Sequence, residues 1–168
     1  GSDLAALRTR ADRDGDAWIL NGQKVWTTYA NRADYCMFLV RTDLHAPQHK
    51  GISCLIVPLR TPGVTVRPLR EITGDTDFNE VFLDDVVVPH AMLLGAEGDG
   101  WAQCTSELAL ERSGPERYLS SHALFVEFLR AADPASQAQR IEIGRLTAEL
   151  WTLRQMSLAV AGRVAAGQ

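Results

Sequence analysis

The chain has 168 residues, 46% hydrophobic and 23% charged, with a formal net charge of −4. That is room for one ordinary domain or two small ones, and the balance excludes a disordered or low-complexity segment. Mild acidity with only two lysines, Lys24 and Lys50, excludes a nucleic-acid or anionic-membrane surface, and the longest apolar stretches are strand-sized, too short for a bilayer.

The first half reads as antiparallel strands. Residues 5–13, 17–20, 23–28, 35–42, 51–58, 64–69 and 80–88 carry the apolar and β-branched runs, separated by loops rich in Asp, Pro, Gly and His. Asp14-Gly15 and Asn21-Gly22 predict two successive hairpin turns, since such dipeptides tolerate the positive φ that tight turns require. About seven strands with frequent turns predict a sandwich or barrel. Beyond Asn21-Gly22, alternation places Trp26 and Thr28 on one side of the strand and Val25 and Thr27 on the other. An indole beside a hydroxyl suits a planar heteroaromatic ligand, although both residue types are also good strand formers. Asp84 and Asp85 are neighbours in a strand and should face opposite ways. Cys36, Cys54 and Cys104 lack metal or redox spacing and read as buried reduced thiols.

The pattern changes near Leu94. Gly95, Gly98 and Gly100 form a loop whose Glu97 and Asp99 would repel phosphate, so it reads as a turn. Asp99 is a candidate N-cap for a helix from Trp101 to about Ala132, interrupted by Asp133-Pro134. Pro115 should kink that helix and leave the Glu111 carbonyl without its helical donor. From Ser136 onward Ile143, Leu146, Leu150, Leu153, Val160 and Val164 follow three- and four-residue steps, with Ser157 in the polar slot. Trp151, Met156 and Leu158 lie off this stripe, so one partner helix cannot cover the apolar surface. The fold class expected is α+β: an antiparallel β-barrel or sandwich, then two long antiparallel helices of an incomplete bundle. The domains expected are residues 1–97 and 98–168.

Taken together and in this order, Gly1-Ser2-Asp3-Leu4-Ala5-Ala6, Leu20-Asn21-Gly22-Gln23-Lys24, Trp26-Thr27-Thr28, Lys50-Gly51-Ile52-Ser53, Thr61-Pro62-Gly63-Val64 and Phe82-Leu83-Asp84-Asp85-Val86-Val87-Val88-Pro89 resemble the acyl-CoA dehydrogenase family. The resemblance is close to about Arg112 and looser beyond. It implies an FAD enzyme that desaturates acyl-CoA thioesters between the α and β carbons. It also implies a middle β domain, here followed by the start of a C-terminal helical domain, with both ends of the chain truncated. Trp26 would lie against the flavin ring, Thr28 at its N5 edge, and Thr27 would contact it through backbone. Ser2 would sit near the FAD pyrophosphate and the substrate.

Glu111 falls where isovaleryl- and long-chain-type members carry their catalytic base, whereas most members use a Glu beyond Gln168. A carboxylate between Leu108 and Leu110 and facing a flavin would be desolvated, as a general base requires. Otherwise it is a solvated Glu paired with Arg112 or with an arginine a turn away. Arg112 matches a substrate-contacting position. The resemblance further implies an electron-transfer flavoprotein or similar acceptor, a homotetramer or another homo- or hetero-oligomer formed through the helical domain, and a cytoplasmic role in fatty-acid β-oxidation. Two departures stand out. Ala109 replaces an acidic residue of some relatives, and Arg130-Ala131-Ala132-Asp133-Pro134-Ala135-Ser136 replaces the family's Arg-x-x-x-Phe-Gly contact to FAD across a dimer. The second suggests an alternative, a non-catalytic partner subunit of a heteromeric dehydrogenase. A related flavin oxidase or monooxygenase is a third possibility.

Overall fold

The computed structural model describes residues 3–167, with the side chains of residues 109, 110, 112 and 113 left aside. Two compact units divide between Cys104 and Thr105. The first contains β1 (Arg10–Asp14), β2 (Ala17–Thr28), β3 (Tyr35–Arg41), β4 (Ile52–Pro58), β5 (Val64–Pro68), β6 (Phe78–Pro89) and β7 (Leu93–Leu94), with short 3₁₀ turns at Leu4–Ala6 and His90–Met92. The helices are α1 (Gly100–Ser113), α2 (Glu116–Leu119), α3 (His122–Ala131) and α4 (Gln137–Ala165). The α+β class and the seven strands match expectation. None of these helices is long and apolar enough to cross a membrane.

The strands form one sheet in the order β5-β6-β2-β1-β3-β4-β7. Its pairs are antiparallel except β1 with β3, which run parallel through Arg10 and Arg41. The expected antiparallel barrel is thus replaced by an open, mixed sheet. The parallel step arises because β3 returns beside β1, whose other edge the β1–β2 hairpin already occupies.

The Asp14-Gly15 turn forms as expected: Asp14 pairs with Ala17 across two loop residues, and Gly15 takes φ +56°. Asn21-Gly22 does not turn. β2 runs straight through it, pairing with β6 from Ala17–Pro89 to Thr28–Phe78. The Asn21 amide instead donates to the Asp85 carboxylate (2.9 Å), and the Asp85 backbone N–H donates to Asn21 Oδ1 (3.0 Å). This closes a bulge where the register jumps between Leu20–Val86 and Gly22–Leu83, with Asp85 at φ +48°. The bulge shifts the inward set of β6 from Asn79, Val81 and Leu83 to Val86 and Val88, so Asp84 and Asp85 are both exposed and not on opposite faces. Gly22 has a different reason to be glycine: at φ +142°, an added Cβ would lie 2.8 Å from Thr9 Cα.

Trp18 and Leu20 of β2, Phe38 and Val40 of β3, Leu55 and Val57 of β4, and the inward residues of β6 form a single core. The first expected long helix breaks into α1, α2 and α3. Pro115 lacks the N–H to continue α1 and instead precedes α2. The helices after Thr105 bury no residue fully. Along α4, Ile143, Leu146, Leu150, Ser157 and Val160 are its partly covered face, while Trp151, Met156 and Leu158 are more than half exposed. The off-stripe mass falls where the periodicity placed it, but of the expected stripe Leu153 and Val164 are exposed. Ser136 caps α4, its hydroxyl accepting the Gln139 N–H (3.4 Å).

Candidate functional site

The C-terminal end of β2 carries the predicted Trp26-Thr27-Thr28 segment. A second bulge precedes it, the register stepping from Lys24–Val81 to Thr27–Asn79. Trp26 occupies it at φ +60°, and Tyr29, immediately after the segment, takes φ +55°. Left-handed backbone at bulky residues costs about 1–3 kcal/mol each and persists only where surrounding structure enforces it. Here the Tyr29 N–H donates to the Asp77 carbonyl (2.7 Å), and the Arg32 and Ala33 N–H groups donate to the Tyr29 carbonyl (2.9 and 3.0 Å).

Trp26 is 66% exposed, supported edge-on by Phe78 with ring centroids 6.0 Å apart. Thr28 is exposed and Thr27 half-buried. Gln23, Lys24, Val25 and Thr27 line a cavity of about 420 Å³ to which Trp26 and Thr28 do not contribute. Plain alternation does not hold here, because the bulge puts Lys24 and Thr27 opposite Val81 and Asn79, both inward residues of β6. An open indole and hydroxyl on the outer side fit a planar ring system such as a flavin. Ser2, predicted near pyrophosphate and substrate, lies outside the described residues.

Three residues around this segment escaped sequence reading. Asn79 is fully buried, and its amide donates to the carbonyls of Thr27 (3.0 Å) and Asp77 (3.2 Å). It fixes Thr27 from beneath, and the available signal was a polar residue in an otherwise inward position of β6. Arg41, at 8% exposure, donates to the carbonyls of Ala5 (2.5 Å), Leu7 (3.4 Å) and Gln48. It pins the N-terminal segment and the 43–50 loop to the sheet. Lys24 lines the 420 Å³ cavity with Asp3, Arg8 and Cys36, and its Nζ donates to the Leu39 carbonyl (2.5 Å). Burial pushes the Lys24 ammonium down from 10.5 to about 8, the Cys36 charge opposing this, while burial pushes the Cys36 thiol up.

Lys24 therefore weighs on stability. Below about pH 8 both states carry the ammonium, but only the folded one must bury it; above 10.5 both carry the neutral amine. Wild-type stability from this group rises between those values. Lys24→Met should raise stability at pH 7 by about 2 kcal/mol, with the gain shrinking toward zero near pH 10.5. Urea unfolding of both proteins at pH 7 and 10 checks this, and an equal gain at both values would refute the titration argument.

Glu111 lies in α1 with its side chain half exposed, ion-paired to Arg117. It is paired and half solvated in this structure. Its carbonyl is not left open by Pro115: the helix breaks there and Arg117 Nε donates to it (3.4 Å). Arg112 is in α1, and its side chain lies outside the described residues.

Residues 1–86 match the family described as Acyl-CoA dehydrogenase, middle domain. The chain belongs to the acyl-CoA dehydrogenase family. It is 56% identical over 112 residues to acyl-CoA dehydrogenase FadE34 of Mycobacterium tuberculosis, covering 67% of this chain and 16% of that protein. A crystal structure of a probable acyl-CoA dehydrogenase from Mycobacterium abscessus superposes with TM-score 0.87 at 31% identity, over 100% of this chain and 48% of that one. The ChsE4-ChsE5 complex from Mycobacterium tuberculosis gives TM-score 0.82 at 32% identity, over 98% and 45%. The chain thus spans less than half the length of each of these relatives.

Proposed function

We propose that this chain is part of an FAD-dependent acyl-CoA dehydrogenase, with residues 1–97 as its middle domain and 98–168 as part of its C-terminal helical domain. Bound FAD would accept the hydride released from the β carbon of an acyl-CoA thioester. Trp26 would lie against the ring system, Thr28 would hydrogen-bond at its edge, and Thr27 would contact it through backbone, with Ser2 toward the pyrophosphate and the substrate. Glu111 would remove the α proton and Arg112 would contact substrate. An electron-transfer flavoprotein or similar carrier would take the electrons onward, within a cytoplasmic oligomer. The observation that carries this reading is the exposed Trp26 and Thr28, on a segment whose backbone is left-handed at Trp26 and again at Tyr29.

Recording the visible spectrum of the purified protein and adding an acyl-CoA anaerobically tests it. Oxidised flavin that bleaches supports the dehydrogenase. A colourless protein that takes up flavin only with a partner supports a second reading, a partner subunit of a heteromeric enzyme. The replaced Arg-x-x-x-Phe-Gly stretch at residues 130–136 favours that reading, as does likeness to the ChsE4-ChsE5 complex. Trp26→Ala should weaken flavin binding about tenfold, the loss of roughly 1.4 kcal/mol of ring contact, with little change in stability because the indole is exposed. Flavin titration by fluorescence checks it; unaltered affinity would make Trp26 a plain strand residue.

A further inference from the structure

We propose that Lys24 is an acyl-acceptor site, its side-chain amine taking an acyl group from a CoA thioester within the cavity it lines with Asp3, Arg8, Val25, Thr27 and Cys36. This goes beyond the dehydrogenase reading and needs no flavin.

The cavity, about 420 Å³, exceeds the space a short acyl chain requires. One hydrogen bond, from Nζ to the Leu39 carbonyl, holds the amine in place. Burial supplies the neutral amine that nucleophilic attack requires, the ammonium giving up its proton near pH 8. The charged and titratable groups facing it from neighbouring elements are Asp3 and Arg8 of the N-terminal segment and Cys36 of β3. In the reaction the amine nitrogen attacks the thioester carbonyl, the N–C bond forms and the C–S bond breaks. CoA leaves as thiolate and takes up the proton released from nitrogen. The amide N–H can still donate to Leu39, and the charge that burial penalises is gone.

Lys50 serves as the internal control. It is the other lysine of the chain and lies exposed in the 43–51 loop. The folded protein is incubated with acetyl-CoA from pH 6.5 to 9.5, and acetylation of each lysine is followed by peptide mass spectrometry. Lys24 should be acetylated roughly tenfold faster than Lys50 at pH 7.5. This is well below the gain in free amine, because a less basic nitrogen in a cavity attacks more slowly. Its rate should level off above about pH 8, and the preference should vanish in urea. Equal or faster modification of Lys50 in the folded protein overturns the proposal, as does a Lys24 rate still climbing at pH 9.5 or a preference that survives unfolding. Lys24→Arg removes the site while keeping a cation, and signal persisting on that peptide would count against it. A flavin-free protein that acetylates at Lys24 would separate this site from the dehydrogenase assignment.

Discussion

Glu111→Gln should leave flavin bound and coloured while slowing its anaerobic reduction by acyl-CoA about 10³- to 10⁴-fold, the range a positioned general base contributes. The amide keeps the side chain's size and its ability to accept a hydrogen bond, but it cannot take the α proton. The Arg117 ion pair is compatible with the role proposed for Glu111. Both partners are about half exposed, and such pairs are worth up to about 1 kcal/mol, so releasing the carboxylate costs at most several-fold in rate. Stopped-flow absorbance at the flavin band measures the effect. Unchanged reduction would move the base to another residue, and a colourless variant would show that Glu111 supports the fold or the cofactor instead.

Gly22→Ala should destabilise the β unit by roughly 3 kcal/mol. Part is the cost of a side chain at φ +142°. The larger part is overlap, since the new methyl would sit 2.8 Å from Thr9 Cα and 3.1 Å from its Cβ and Oγ1. Backbone must move to relieve it, and overpacking of this kind costs about 1–3 kcal/mol. The strain also reaches the candidate site, because Thr9 Oγ1 donates to the Gln23 carbonyl next to Lys24 (3.1 Å). Gly144→Ala provides the contrast: it lies in α4 with nothing near the added methyl and should stabilise by roughly 0.5–1 kcal/mol. Urea midpoints for both variants check the pair, and a neutral Gly22→Ala would show that β1 and β2 can part there without penalty.

Gly22 also shows where sequence reading stopped. Asn21-Gly22 between apolar flanks carries the strongest local hairpin signal, yet both residues serve contacts distant in sequence: Asn21 with Asp85, Gly22 with Thr9. No local pattern encodes those. The same bulge reset the parity of β6 and overturned the expectation for Asp84 and Asp85. Asp14-Gly15 was legible because its turn is local and closes its own strand pair. Most of the α4 stripe, including Ser157 in its polar slot, was legible because helical periodicity needs no partner to define it; the exposure of Leu153 and Val164 was not. At the candidate site, Trp26 and Thr28 stand out in the sequence and both are exposed. The support beneath Thr27 could not be read, since Asn79 is 52 residues away from it in sequence; nor could the tie from Arg41 to Ala5, 36 residues away, which holds the N-terminal segment. The solvation of Glu111 also lay beyond reach, since it depends on Arg117 across a helix break whose depth Pro115 signalled only as a kink.

The two left-handed residues flanking Thr27 and Thr28 have a thermodynamic consequence. Their unfavourable torsions are imposed when the sheet assembles, so a ring system docking there as proposed would meet backbone whose torsions are already set. Little ordering entropy is then lost on association, and relaxing either torsion should affect how fast a ligand leaves more than how fast it arrives.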